Sequence, residues 1–484
     1  MLLRFDRHEK RLQSTTTTDA ITVFFYTVND GGVNLLGCND EESVSFLNNK
    51  NARGVSGEIF SRNERVFCSL GKIELGKQKN ARDELAAWSI QSSMGPLYKH
   101  VSTYHNGSSV SFTPFGMVEE CYFGFILASY KYDHLLKENE DETHFSLVVP
   151  EEYTEIATVA HSQNKARFLG DTPSNLLTPT TFCEYAHEIF RGLDKIEIVV
   201  VEEERCREMG MNLMLSVGNG SAEPSKLLTV KYSGDSSTTR HKLAMVGKGV
   251  VFDSGGISLK PSKDMHRQKM DMMGGATMLL SLHAAARMNL PINATCTVPL
   301  VENMPGSKAT NPGDIFKAAN GIHVEVGNTD AEGRLILADA LWYAQNCYGE
   351  SPEFLIDAAT LTGAIKVALG RIFGGFFTNS EAFSDLISGA AERGSELMWR
   401  MPLSAYYRKQ LDSPVADCNN VGGPMAGAST AGEFLYQFVE CEKWAHFDIA
   451  CLKDESHMGA VYGRGATGRP IRAFYEIVRA LSNN

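Results

Sequence analysis

Apolar and polar positions along the chain alternate on two periods, and the alternation changes character once. Runs rich in β-branched and aromatic residues at 21–26, 66–70 and 145–149 predict strands, and residues 80–93 have helix-forming composition. Residues 1–150 therefore read as one α/β domain. After Pro150, residues 151–169 read as a connecting helix that ends ahead of Gly170-Asp171-Thr172-Pro173. From 170 to 484 the runs at 195–201, 227–232, 242–246, 294–298 and 354–356 predict strands, with helices at 276–288 and 335–347 among them. The expected fold class is α/β: a smaller N-terminal domain and a larger C-terminal one with a central, mostly parallel, doubly wound sheet. In such sheets ligands sit in loops beyond the carboxyl ends of the strands.

No apolar run approaches the ~18 residues of a membrane span, so no membrane partner is expected, and 123–128 reads as a core element. A net charge of −12 works against general nucleic-acid binding, which needs clustered Lys and Arg. Ten cysteines without a C-x-x-C pair predict buried thiols of a reducing compartment. Arg4, Arg7, Lys10 and Arg11 before Ser14 faintly suggest a transit peptide, but Asp6 and Glu9 interrupt the pattern and no apolar segment follows. The expected location is the cytoplasm. On that expectation Asn106-Gly107-Ser108, Asn219-Gly220-Ser221 and Asn293-Ala294-Thr295 match the glycosylation pattern by coincidence.

Two stretches gather charge that local structure does not require: Gly247-Lys248-Gly249-Val250-Val251-Phe252-Asp253-Ser254-Gly255-Gly256-Ile257-Ser258-Leu259-Lys260 and Asn328-Thr329-Asp330-Ala331-Glu332-Gly333-Arg334-Leu335. Lys248 follows an apolar strand and so stands at its carboxyl edge. Asp271 precedes a helix expected from Ala276, whose positive end favours an ionised acid. If 330–332 is extended, Asp330 and Glu332 point the same way, with Arg334 on that side too. Four carboxylates (Asp253, Asp271, Asp330, Glu332) repel one another at contact distance, and two divalent cations would cancel them. Oxygen-rich ligands suit Zn, Mn or Mg, and ions held roughly 3.5–4 Å apart activate water and polarise a carbonyl. His266 reads as a surface residue, His446 as a satisfied core residue, and Cys418 and Cys451 as small buried hydrophobes. H-E-x-x-H, G-x-S-x-G and G-x-x-x-x-G-K-[ST] are absent.

Together G-K-G-x-x-F-D-S-G-G-I-S-x-K and N-T-D-A-E-G-R-L resemble the leucine aminopeptidase (cytosol aminopeptidase) family of dinuclear-metal exopeptidases. Further matches are Asp171-x-Pro173-x-Asn175, the run Ala358 to Ala364, Val415-Ala416-Asp417 with Asn420 and Gly422, Trp444 to Ala450, and Thr467-Gly468-Arg469-Pro470. The resemblance covers roughly 160–484, the catalytic domain in that family. It implies hydrolysis of N-terminal, leucine-like hydrophobic residues from peptides with a free N-terminus, through a hydroxide bridging two metals. It also implies that Asp253 and Glu332 bridge the ions, that Asp330 completes one site, and that Lys248, as a neutral amine, completes the other with Asp271.

Lys260 is then a charged donor to the carbonyl oxygen and the oxyanion, and Arg334 holds a bicarbonate that shuttles the proton. Lys248, Lys260, Asp271, Thr360, Leu361 and Gly363 are the implied substrate-binding residues. The implied cofactors are two divalent ions per chain, zinc or manganese, magnesium or cobalt at the more exchangeable site. The implied assembly is a homohexamer, a dimer of trimers, and the alternative is a DNA-binding or regulatory member of the same family. Gln268 stands where the family often has a pocket methionine, with Met270 two positions on, and Met273 takes a place usually held by a small residue.

Overall fold

The computed structural model describes residues 20–29, 32–73, 81–136, 145–348, 351–454 and 459–483. The chain divides into two compact units, with the change falling inside the helix Thr154–Asp171 between Lys165 and Ala166. Residues 459–464 belong to the first unit, and the chain from Gly465 returns to the second.

The first unit carries β1 (Ala20–Asn29), β2 (Gly32–Leu35), β3 (Ile59–Arg62), β4 (Arg65–Ser69), β5 (Ser109–Phe112) and β6 (Ser146–Leu147). They form a sheet in the order β3-β4-β1-β5-β6, with β2 paired to β1. β1 runs parallel to β4 and β5 and antiparallel to β2, and its Val23 and Phe25 are fully buried. The helix expected at 80–93 extends over Ala81–Tyr104, while the strand expected at 145–149 shrinks to two paired residues. Residues 123–128 fall in the helix Val118–Ala128, which is apolar nearly all round and buried accordingly.

The second unit holds β7 (Ile196–Glu202), β8 (Lys226–Ser233), β9 (Leu243–Gly247), β10 (Gly249–Asp253), β11 (Asn293–Asn303), β12 (Ile315–Lys317), β13 (His323–Glu325), β14 (Phe354–Ala359), β15 (Gly374–Thr378), β16 (Met398–Arg400), β17 (Cys418–Asn419) and β18 (Trp444–Asp448). Its large sheet runs β16-β15-β18-β14-β9-β11-β8-β7, with β10 joined to β11. The central pairs β18/β14, β14/β9 and β9/β11 are parallel, and antiparallel β8 and β15 flank them. The central strands are continuous apolar runs because helices such as Met273–Arg287 and Glu332–Asn346 cover the sheet.

The register of these strands makes the site. β9 pairs with β11 on one side and β14 on the other, up to Gly247 opposite Ala358. At Lys248 the chain gives its N–H to the Ala358 carbonyl at 2.9 Å, and β10 then pairs with β11 alone. The sheet therefore parts between β10 and β14, opening a crevice at the carboxyl ends of the parallel strands. Gly274 lets the helix Met273–Arg287 close over the split, since a Cβ there would lie 2.2 Å from the Ala358 carbonyl oxygen. Met273 is fully buried, and its sulfur would lie 2.4 Å from a Cβ at Gly170.

Candidate metal centre

The crevice collects the charges anticipated at its rim. Lys248 enters from the break after β9, Asp253 ends β10, Asp271 lies two residues before the helix Met273–Arg287, and Glu332 opens the helix Glu332–Asn346. Hydroxyls stitch the two motif loops together. Thr329 Oγ1 donates to the Gly255 carbonyl at 2.6 Å and accepts from the Ser258 amide at 2.8 Å. Asp253, Asp330 and Glu332 each offer a carboxylate oxygen, and these atoms lie within 4.8 Å of one another.

Residues 330–332 are not extended as the sequence suggested. Asn328 Oδ1 accepts from the Asp330 amide at 2.8 Å, a local turn that competes with extended backbone, and a helix starts at once behind it. Residues two apart on a helix do not share a face. Glu332 accordingly meets Lys248, while Arg334 sends Nη1 to the Asn420 carbonyl at 2.8 Å.

Lys248 is 3% exposed, with Nζ 2.7 Å from both Asp271 Oδ2 and Glu332 Oε1 and donating to the Thr360 carbonyl at 3.1 Å. Burial pulls its pKa down, but Asp271, Glu332 and Asp253 outweigh burial and hold it above the usual lysine value. With carboxylates alone around it, Lys248 is thus an ammonium, and acting as a ligand requires added positive charge to expel its proton. Lys260 is half-buried, 2.7 Å from Asp253 Oδ2 and paired with Asp330. Burial lowers its pKa too, and Asp253 with Glu332 reverse the direction.

Charge stays unbalanced, since two ammonium groups face four carboxylates. Burial, then Asp253, pushes Glu332 up to about 8, and the same two causes raise Asp330. Burial also acts to raise Asp271, where Lys248 and Lys453 prevail and hold the carboxyl below its ordinary value. Glu332 Oε1 and Asp271 Oδ2 are buried and, apart from the Lys248 ammonium 2.7 Å from each, have no polar partner among the described residues. Orphaned buried oxygens beside surplus negative charge are what divalent cations satisfy, so the donor set fits metal.

Residues outside the two motifs position the acids. Asn303, at the end of β11, donates Nδ2 to Asp253 Oδ1 at 2.8 Å and to the Thr329 carbonyl at 3.1 Å. Thr360 gives Oγ1 to Asp271 Oδ1 at 2.7 Å. Asp448, the last residue of β18, takes the Thr362 hydroxyl at 2.6 Å and the Leu361 amide at 3.2 Å, which fixes the loop after β14. Gly363 begins the next helix and is exposed. Burial draws the Arg334 pKa down to about 10 against the pull of Glu332 and Asp448, and its Nε has no hydrogen-bond partner among the described residues. His266 is exposed, and His446 is fully buried with Nδ1 2.5 Å from Asp357, so both stand outside the cluster. Cys418 and Cys451 are buried free thiols.

Gly333 shows how closely the cluster is built. A Cβ there would lie 2.6 Å from Lys248 Cε and 2.8 Å from Nζ, so the missing side chain is the space that the lysine occupies.

Residues 164–475 match the cytosol aminopeptidase family, catalytic domain. The chain is 42% identical over 458 residues to a cytosol aminopeptidase of Encephalitozoon cuniculi, covering 92% of this chain and 91% of that protein. It is 38% identical over 429 residues to the cytosol aminopeptidase of Homo sapiens, covering 86% and 82%. Among solved structures, the bottromycin maturation enzyme BotP in complex with Mn superposes with a TM-score of 0.82 at 28% identity, covering 96% of this chain and all of that one. With identity sustained across both units, the chain belongs to the cytosol aminopeptidase family of metalloexopeptidases.

Proposed function

We propose that this aminopeptidase works with two divalent ions, held by Asp253, Asp271, Asp330, Glu332 and Lys248. The observation that carries the reading is the Lys248 ammonium wedged between Asp271 and Glu332, beside three carboxylates whose oxygens lie within 4.8 Å of one another. Bound ions supply Lewis acidity, which polarises the scissile carbonyl and makes water a nucleophile at neutral pH. Manganese accompanies the solved relative BotP and belongs with zinc, magnesium and cobalt among the ions to test.

The chain's own groups do the rest. Asp271 keeps Oδ2 free of hydrogen bonds, and we assign it to the α-amine of the substrate, which makes a free N-terminus a requirement. Lys260 stands half-buried at the mouth and donates to the carbonyl oxygen as it becomes an oxyanion. Arg334 has an Nε without a hydrogen-bond partner among the described residues and would hold a small anion such as bicarbonate, which would supply a proton acceptor for the attacking water and a donor for the leaving amine. Leu361, whose own amide is held by Asp448, offers its remaining backbone group to the substrate, and Thr360 and Gly363 border the first side chain. The leucine-like preference implied by resemblance meets polar Gln268 at this place.

The test compares fluorogenic aminoacyl amides with their N-acetylated forms, after metal is stripped and each ion restored in turn. Free amides should be cleaved only when metal is restored, and acetylated ones not at all. Equal cleavage of both forms, or full activity in a chelator, would overturn the reading.

A further inference from the structure

Near Asp271 lies a second set of charges that the reaction does not use. Three segments meet there: the 3₁₀ helix Met265–Met270, the helix Gly363–Leu369, and the stretch that follows β18. Asp454, 3% exposed, ties them together, with Arg267 Nε at 3.7 Å and Lys366 Nζ at 3.6 Å from its two oxygens. Next to it in the chain is Lys453. Its carbonyl is pinned by the Thr467 amide at 3.1 Å, so the backbone is fixed. Its half-buried ammonium, however, forms no hydrogen bond or ion pair with any described residue.

Burial draws the Lys453 pKa down, and the charge that most opposes this is Asp271, ahead of Asp454. An ammonium without a counter-ion in a half-buried place is costly, so it calls for a negative partner that the described residues do not provide. Asp271 is not that partner, because Lys248 already stands 2.7 Å from it. Gln268 adjoins Arg267 in the 3₁₀ helix, three residues before Asp271. It is half-buried, and its amide likewise hydrogen-bonds to no described side chain or backbone group.

This step rests on the proposed assignment of the substrate α-amine to Asp271. A group that binds Asp271 through its α-amine places its side chain on the Thr360 and Gly363 side, where Lys366 belongs to the first turn after Gly363. One ammonium and one amide, both unsatisfied, complement a carboxylate side chain and leave a leucine side chain facing two unpaired polar groups. We infer that Lys453 is the specificity-determining residue of this enzyme and that it selects peptides beginning with an acidic residue, aspartate or glutamate.

The experiment measures kcat/KM of the metal-loaded enzyme on glutamyl, aspartyl, leucyl, methionyl and lysyl aminomethylcoumarin amides, for the natural chain and for Lys453→Met, Lys453→Glu and Lys453→Arg. The natural enzyme should favour the glutamyl or aspartyl amide over the leucyl one by about 10-fold or more. Lys453→Met should lower that ratio by about 10–100-fold, the worth of a hydrogen bond to a charged group. Lys453→Glu should turn the preference toward the lysyl amide, and Lys453→Arg should retain the acidic one. Because the readout is a ratio within each variant, partial misfolding does not shift it. A leucyl preference in the natural enzyme, or an unchanged ratio in Lys453→Met, overturns the inference and leaves the aminopeptidase reading standing. Failure to cleave any free amide with metal restored removes that reading, and the inference with it.

Discussion

Replacing Gly333 by alanine separates the stability of this protein from its chemistry. The added methyl would sit 2.6 Å from Lys248 Cε, 2.8 Å from Nζ and 2.9 Å from Cδ. Carbon–carbon contacts are comfortable at ~3.5–4 Å, so the end of the lysine must retreat by about 1 Å. Overpacking of that kind costs about 1–3 kcal/mol, while removing a glycine from the first turn of a helix returns up to about 1 kcal/mol. Net destabilisation should stay below about 2 kcal/mol. Chemistry has no such offset, because Lys248 is held at 2.7 Å by both Asp271 and Glu332, and a 1 Å misplacement can cost on the order of 100-fold in rate. Urea unfolding, kcat/KM on the best aminoacyl amide and metal content should be measured on the same sample. The expected result is near-natural unfolding with kcat/KM reduced about 100-fold and weaker metal retention. Natural kcat/KM with alanine at 333 would refute the argument that this gap fixes the lysine.

Three other changes probe separate parts of the account. Lys260→Ala should lower turnover by about 100-fold or more while elemental analysis still finds metal near the natural level, and natural turnover would remove its role as oxyanion donor. Asn303→Ala releases Asp253 Oδ1 from a 2.8 Å hydrogen bond and should weaken metal affinity about 10–100-fold in titration calorimetry; unchanged affinity would make Asn303 a bystander. Asp339, fully buried, is raised by burial to about 7 although it accepts from the Met214 and Ala319 amides. A carboxyl raised in the folded state penalises folding as pH climbs from its unfolded value near ~3.9 to about 7, by on the order of 4 kcal/mol once both states are ionised. Unfolding free energy of the natural chain should therefore fall relative to Asp339→Asn between pH 4 and 8, and parallel curves would contradict the shift.

Much of this was legible in the sequence because the central strands are buried on both faces and read as unbroken apolar runs. The run at 227–232 lies within β8 almost at its observed limits, 242–246 is offset from β9 by one residue, and 294–298 is the first half of β11, which continues to Asn303. What the sequence hid follows from tertiary context. β10 carries no strand signal of its own between two glycine-bearing segments, and it exists because β11 continues past the end of β9 and offers an open edge. The helix expected from Ala276 begins at Met273, since glycines 274 and 275 are there for close approach to the sheet and not to end the helix. Spacing alone placed Asp330, Glu332 and Arg334 on one side, whereas the Asn328 turn and the helix behind it send Arg334 elsewhere. Asn303, Asp448 and Lys453 lie far along the chain from the ligand motifs and reach the site only through sheet register or the loops beyond it. Asp448 falls in the Trp444 to Ala450 run that carried the resemblance, but no local pattern gave it a role, and none marks Asn303 or Lys453.

Metal stoichiometry tests the central claim most directly. The natural chain and Asp253→Asn, dialysed against manganese or zinc and freed of loose ions, should be compared by elemental analysis with unfolding followed in parallel. Convergence of Lys248, Asp253, Asp271, Asp330 and Glu332 on a pair of cations predicts two ions per natural chain and loss of at least one from the folded variant. No bound ion in the natural protein, or equal loading of the two, would contradict it.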